Sequence, residues 1–203
     1  MTSVLVPPSR VARWLQNFEA RHGAADLSIF RHSLVGTAPD GSSFLASLPF
    51  SLAYAGPATA EAFAEACVPP ADWGILLVRK GGFAVARMHG AAMADSKTGQ
   101  RHVQGRTKAG GQSQQRFARR RENQARAAFE AAADHAARLI ADAPAVVVGG
   151  DAVAVDSVLA DARLRGLAGR VVGDFLTVPD PRRGVLEDAV LDAGSVTMSV
   201  INV

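Results

Sequence analysis

The sequence holds a single cysteine, Cys67, in 203 residues. One thiol makes neither an internal disulfide nor a Cys-based zinc site, so disulfide scaffolds and zinc fingers are excluded, and a reducing cytoplasm is the expected compartment. Cys67 sits among Ala and Val in a helical pattern, which suits a small buried hydrophobe better than a nucleophile. Aromatic residues are scarce, at 6% with two Trp and one Tyr, and Trp14 and Trp73 are assigned to the core. Residues 41–60 lack charge, but Pro49, Pro57 and several Ser and Gly interrupt them, which argues against a membrane span. The first nine residues lead into a charged amphipathic stretch, so no secretory signal is expected. The five histidines show no metal-ligand spacing, and neither a metal nor a cofactor is expected.

Negative charge is missing from one place in particular. Residues 97–126 carry nine Lys and Arg against Glu122 alone, a net +8. The rest of the chain holds 13 basic and 18 acidic residues, a net −5. An acidic body with one strongly basic segment points to a polyanionic partner engaged at that segment. The 48% hydrophobic and 20% charged composition excludes disorder of the whole chain, and the length suits one domain, residues 1–203.

Hydrophobic periodicity predicts an α/β fold, a mixed β-sheet layered with helices. A first helix over 10–22 is predicted with Ser9 as its cap and Gly23 as its stop. Strands are predicted over 27–34 and 43–50 around the Pro39-Asp40-Gly41 turn, and a helix over 59–68. Lys80-Gly81-Gly82 joins strands 73–79 and 83–89 in a hairpin. Residues 90–111 are polar and Gly-rich and read as a loop, with a short extension of the hairpin around His102-Val103. A long helix follows over 113–143, with Phe117, Ala125, Phe129, Ala132, Ala136, Leu139 and Ile140 as its apolar stripe. Strand 145–148, helix 153–165, strand 170–175, helix 184–193 and strand 196–203 complete the pattern. Asp151 is read as a helix cap rather than part of a phosphate loop with Gly149-Gly150.

The informative run lies at residues 105–121, where a basic Gly-rich loop meets the start of the long helix. Gly110 and Gly111 admit backbone angles closed to other residues and let the main chain approach a ligand closely. Gln112 and Ser113 fall where unpaired backbone N–H groups and the helix dipole favour negative charge. Arg116, Arg119 and Arg120 share one helical face. A solvated basic face is the plain alternative. Against it stand the arginines at a helix start, which oppose the macrodipole at a local cost that anion binding would explain.

The segment Gly110-Gly111-Gln112-Ser113, then Arg116-Phe117-Ala118-Arg119 and the long helix, strongly resembles the catalytic central domain of eukaryotic and archaeal class-1 peptide-chain release factors. Residues 143–150, Ala-Pro-Ala-Val-Val-Val-Gly-Gly, are similar to that domain's strand-and-Gly segment, so the resemblance runs over roughly half the chain. Within this superfamily the sequence most resembles the short release-factor-like peptidyl-tRNA hydrolases of ribosome quality control, of an actinobacterial type. That resemblance implies a mobile GGQ loop before a long helix, and codon-independent hydrolysis of the ester between a nascent peptide and its tRNA. Codon reading is not expected, since full termination factors carry further domains for which this chain has no room. Gly110, Gly111 and Gln112 are the implied catalytic set. Relatives with a looser Gly-x-x-Gln raise Gln114 as the alternative glutamine, but Gln112 keeps the release-factor phase of Arg116-Phe117-Ala118-Arg119 without a gap. Arg106, Lys108, Arg116, Arg119, Arg120 and Arg121 are the implied RNA contacts. The implied partners are peptidyl-tRNA and the RNA of the large ribosomal subunit, with no membrane. Two rival readings stay open: a tRNA 3′-end nuclease with the same docking, and a non-catalytic ribosome-binding module.

Overall fold

In the computed structural model the backbone is described for residues 2–100 and 112–203, and side chains for 2–100 and 126–203. The described elements are, in order, β1 (Thr2–Val6), α1 (Val11–His22), β2 (Asp26–Phe30), β3 (Ser33–Thr37), β4 (Ser43–Ser47), α2 (Ala60–Glu65), β5 (Trp73–Arg79), β6 (Gly82–His89), β7 (Ala92–Gln100), α3 (Gln112–Leu139), β8 (Val146–Gly150), α4 (Ala152–Leu159), α5 (Arg183–Ala193) and β9 (Val196–Ile201). The fold is mixed α/β, as the periodicity predicts, but the strands form two sheets rather than one. The chain, read above as one domain, gathers into two compact units, residues 1–69 with 191–203 and residues 70–190. No helix among the described residues is long and apolar enough to cross a membrane.

The first unit is built on a five-stranded antiparallel sheet in the order β1-β9-β4-β3-β2. α1 lays Val11, Leu15 and Phe18 onto it, with Phe44, Phe63 and Met198 in the same core. Trp14 is half-buried, its ring stacked on Phe18 at 5.7 Å and edge-on to Phe44 at 5.1 Å. Cys67 is half-buried and donates to the Phe63 carbonyl at 3.5 Å. Burial pushes its thiol up to about 11, so it stays protonated and unreactive at neutral pH.

Several local expectations fail here for identifiable reasons. The single strand over 27–34 is a hairpin of β2 and β3, turned by Arg31 and His32 at φ 47° and 64°. Two positive-φ residues match the twist of a two-residue hairpin, a position at which Asn-Gly gives the usual sequence signal. β4 stops at Ser47, because Pro49–Ser51 forms a 3-10 turn with Phe50 at φ 57°. Ser9 lies inside a 3-10 turn over Pro8–Arg10 and does not cap α1, whose N-cap Arg10 makes no side-chain cap bond. Gly23, at φ 93°, does end α1. α2 is shorter than read and is capped by Thr59, whose side chain accepts from the Ala62 amide at 3.3 Å.

The second unit centres on a four-stranded sheet in the order β7-β6-β5-β8. β5 and β6 pair from Arg79↔Gly82, leaving Lys80-Gly81 as the turn, and β5 runs parallel to β8. α3 and α4 bury their apolar faces against these strands, through Ala132, Ala136, Ile140 and Val155 meeting Leu76, Val78, Val85 and Val148. Trp73 is buried, with its indole N–H donating to the Gly90 carbonyl at 2.8 Å.

The largest correction in this unit is β7. Residues 92–100, read as loop, pair with β6 along their length. An edge strand with both faces largely exposed shows no hydrophobic alternation, so periodicity misses it. Gly99 lies under the Phe83 ring, where a Cβ would sit 2.3 Å from a ring carbon, so its lack of a side chain serves packing rather than looseness. Residues 170–175 are not a strand: only isolated bridges Val146↔Val171 and Gly149↔Leu176 form, with Gly173 at φ 73° between them. The helix read over 153–165 ends at Leu159, and a separate 3-10 turn covers Ala162–Leu164.

Arg87 of β6 ties the C-terminal end of α3 to the sheet. Its guanidinium forks onto Asp72, donates to Asp142 at 2.8 Å, and reaches the Leu139 carbonyl at 3.4 Å. Its hydrogen bond holds the Asp142 carboxyl below the usual 3.8. A lowered carboxylate contributes stability above its unfolded value and loses it as pH falls through the lower native one. Arg87→Gln is expected to cost about 1–2 kcal/mol in urea unfolding near pH 7. The difference from the parent should narrow below about pH 4.

Candidate functional site

Within the basic segment, β7 ends at Gln100 and α3 begins at Gln112. Gly110, Gly111, Arg106 and Lys108, together with His102, lie outside the described residues. Gln112, Gln114, Arg116, Arg119, Arg120 and Arg121 fall on α3; its backbone is described there and their side chains are not. The expectation that the Gly-Gly-Gln run abuts a long helix therefore holds on its helical side. The helix begins one residue earlier than the periodicity predicts, so Gln112 itself opens the first turn.

A helix start leaves its first four N–H groups without intrahelical partners and carries the positive end of the macrodipole. Helices commonly answer this with Asp or Glu in the first turn. The first turn of α3 has none. That turn is thus electrostatically suited to an anion or a developing oxyanion from outside the helix.

The described part of α3 shows how the helix is anchored. Ala128, Ala132, Ala133, Ala136, Leu139 and Ile140 are buried, and Phe129 is half-buried against the same core. Of the predicted stripe, Phe117 and Ala125 lie outside the described side chains. Gln112 precedes Ala128 by sixteen residues, about 24 Å of helix axis at 1.5 Å per residue. His135 stacks on Phe83, with ring centroids 5.5 Å apart. Burial, helped by the Arg138 and Lys97 charges, lowers its pKa, so this imidazole is neutral at pH 7 and acts as packing. Lys97, exposed on β7, is the member of the basic segment that the sheet itself presents.

The second glycine motif resolves as structure. Gly150 donates to the Leu176 carbonyl at 2.8 Å, and Asp151 donates to Val78 at 2.8 Å. The Asp151 side chain caps α4 by accepting from Ala154 at 3.1 Å, as the sequence reading has it. Among the described residues, no group of three or more His, Cys, Asp or Glu is placed to hold a metal ion. Sequence reasoning missed one feature outside this unit: the polar face of α1, where Trp14 is a groove wall as well as a core residue. The signal was present in the spacing of Arg10, Arg13, Asn17 and Arg21, which puts them on one side of the helix beside the apolar positions.

No curated protein matches the chain. Among solved structures it is similar to an archaeal translation termination factor, aRF1, at 16% identity and a TM-score of 0.46, covering 94% of this chain and 63% of that one. It is also similar to the Vms1 mitochondrial localization core, at 14% identity and a TM-score of 0.43, covering 93% and 80%. The chain thus spans about 63% of the length of the archaeal factor. The family model described as the Actinobacteria/chloroflexi VLRF1 release factor matches residues 71–199. That stretch takes in the whole sheet of the second unit, the basic segment and all of α3, and on that match the chain belongs to the actinobacterial and chloroflexi VLRF1 release factor family.

Proposed function

We propose that this release-factor family member works on the ribosome as a codon-independent peptidyl-tRNA hydrolase, with Gln112 at the reacting ester. The observation that carries the reading is the coincidence of Gly110-Gly111-Gln112 with the start of α3, in a chain of a release-factor family. A glutamine amide does not titrate near neutral pH, so Gln112 is not a proton carrier. It orients the attacking water and, by side chain or backbone N–H, donates a hydrogen bond to the oxyanion that forms as water adds to the ester carbonyl. The bond between the carbonyl carbon and the ribose oxygen then breaks, and the ribose oxygen takes the proton through substrate and solvent. Gly110 and Gly111 let the backbone approach the terminal adenosine closely.

Arg106, Lys108, Arg116, Arg119, Arg120 and Arg121 hold phosphates of tRNA and large-subunit RNA, which fixes position without reading sequence. No cofactor is invoked, and the compartment proposed is the cytoplasm.

The test is a peptidyl-tRNA labelled on both peptide and tRNA, carried on large subunits and on ribosomes without a stop codon. Free peptide with full-length tRNA is the expected product in both. Shortened tRNA would instead make the protein a nuclease, and intact substrate a binding module. Replacing Arg119, Arg120 and Arg121 by Gln should weaken ribosome binding and flatten its log–log salt dependence by roughly 2–3 units, about one for each phosphate left without its arginine. An unchanged slope would remove these arginines from the interface.

A further inference from the structure

The outward face of α1 carries a row of residues that the catalytic loop does not use. Arg10, Arg13, Trp14, Asn17 and Arg21 fall within about 100° of one another around the helix axis, opposite Glu19, the one acidic residue of α1. Arg10, Arg13 and Arg21 are exposed, and no carboxylate among the described residues pairs with them. Two hollows flank this row. One, of about 750 Å³, lies between the first turns of α1 and the end of β1, and is walled by Arg10 and Arg13. The other, of about 260 Å³, lies between the later turns and the end of β9, and is walled by Arg21 and His22. Trp14 and Asn17 line both, so the hollows meet there as one groove. No acidic residue lines either.

The walls have a definite chemistry. Trp14 is held by Phe18 and Phe44, so its indole is fixed before any ligand arrives. A pre-set aromatic plane between guanidinium groups is the arrangement that holds unpaired nucleotides: bases stack on the ring while the cations follow the phosphates. Asn17, beside the ring, offers both a donor and an acceptor to a base edge. Arg10 and Arg21 stand about 16 Å apart along the helix axis, enough for several nucleotides. An acidic peptide would use the arginines but would leave the flat ring without a counterpart.

We infer that the α1 groove is a second RNA site, binding single-stranded RNA with a base stacked on Trp14 and phosphates on Arg10, Arg13 and Arg21. The inference stands on the first unit alone and holds whether or not Gln112 is catalytic. It also gives residues 1–70, which the family match leaves out, a role in holding RNA.

The test uses the full chain with Arg106, Lys108, Arg116, Arg119, Arg120 and Arg121 changed to Gln, which removes the RNA contacts proposed for the basic segment, and a 12-nucleotide oligouridylate as probe. Trp73 is buried, at 1% exposure, so changes in indole emission report Trp14. Saturable quenching is expected. Adding Arg10→Gln, Arg13→Gln and Arg21→Gln, all at exposed positions, should raise Kd at least tenfold and flatten the salt slope by about 2, at about 0.7 per phosphate on a single strand. Circular dichroism of that variant should match its parent. The inference is overturned if the RNA does not bind, if it binds without altering Trp14 emission, or if the three changes leave Kd and slope unaltered. Tighter quenching by a polyglutamate peptide than by RNA would also overturn it and give the groove to an acidic protein segment. Peptide release by the unmodified chain is read separately, so loss of the hydrolase reading leaves this result standing.

Discussion

Gln112→Ala is expected to slow single-turnover peptide release by roughly 10²–10³-fold, the usual effect of removing one pre-positioned oxyanion donor, while ribosome binding stays within about twofold. The expectation follows from where the residue stands. Gln112 opens α3, so its backbone lies among the N–H groups that lack intrahelical partners at the helix start, next in sequence to the two glycines. Truncation to Ala preserves good helix propensity and removes only the amide. In the proposed mechanism binding energy comes from the basic residues flanking it, which the substitution does not touch. Gln114→Ala is the necessary companion, because Gly111-Gln112-Ser113-Gln114 also satisfies the looser pattern. Retained release in Gln112→Ala with loss in Gln114→Ala would move the chemistry half a helical turn inward and reverse the assignment.

The second large effect is structural. Gly150→Ala is expected to lower the unfolding free energy by about 3 kcal/mol, combining backbone strain at a left-handed position with overpacking. Gly150 sits at φ 107°, and a Cβ there would lie 2.2 Å from the Val78 carbonyl oxygen, a backbone atom that has no room to retreat. Its neighbour Gly149 is equally closed, with a Cβ position 2.5 Å from the Leu176 carbonyl. These glycines end the parallel β5–β8 pair and deliver Asp151 to its cap on α4. For a chain of this size the thermal midpoint should fall by roughly 6–12 °C. Unaltered stability would show that the Gly149-Gly150 pair is free of the strand contacts described and would reopen its reading as a phosphate loop.

What was legible in the sequence depended on how local the determinant was. The Lys80-Gly81 hairpin and the Asp151 cap each rest on a few adjacent residues with a strong preference and stand where the sequence put them, and the long helix read over 113–143 is present as Gln112–Leu139, ending four residues early. β7 rests instead on pairing with β6 and on the fit of Gly99 beneath Phe83, which no window of residues 90–111 displays. The Arg31-His32 turn is imposed by the pairing of β2 and β3, and side chains of that kind give no turn signal. The division into two sheets turns on β9 choosing β1 and β4 as neighbours, a contact between the two ends of the chain. At the candidate site, the Gly-Gly-Gln motif and the arginine spacing were legible because they lie within a dozen adjacent residues of the sequence. The α1 groove was not, since Trp14 as a stacking plane becomes visible only when Phe18 and Phe44 are seen to hold it.

The central claim, water attack on the peptidyl ester, is tested most directly by running the release reaction in ¹⁸O-labelled water and weighing both products. One ¹⁸O in the new peptide carboxylate and a tRNA of full length are the expected products, because the bond that breaks joins the carbonyl carbon to the ribose oxygen. A peptide still esterified to a nucleoside, beside a shortened tRNA, would contradict it.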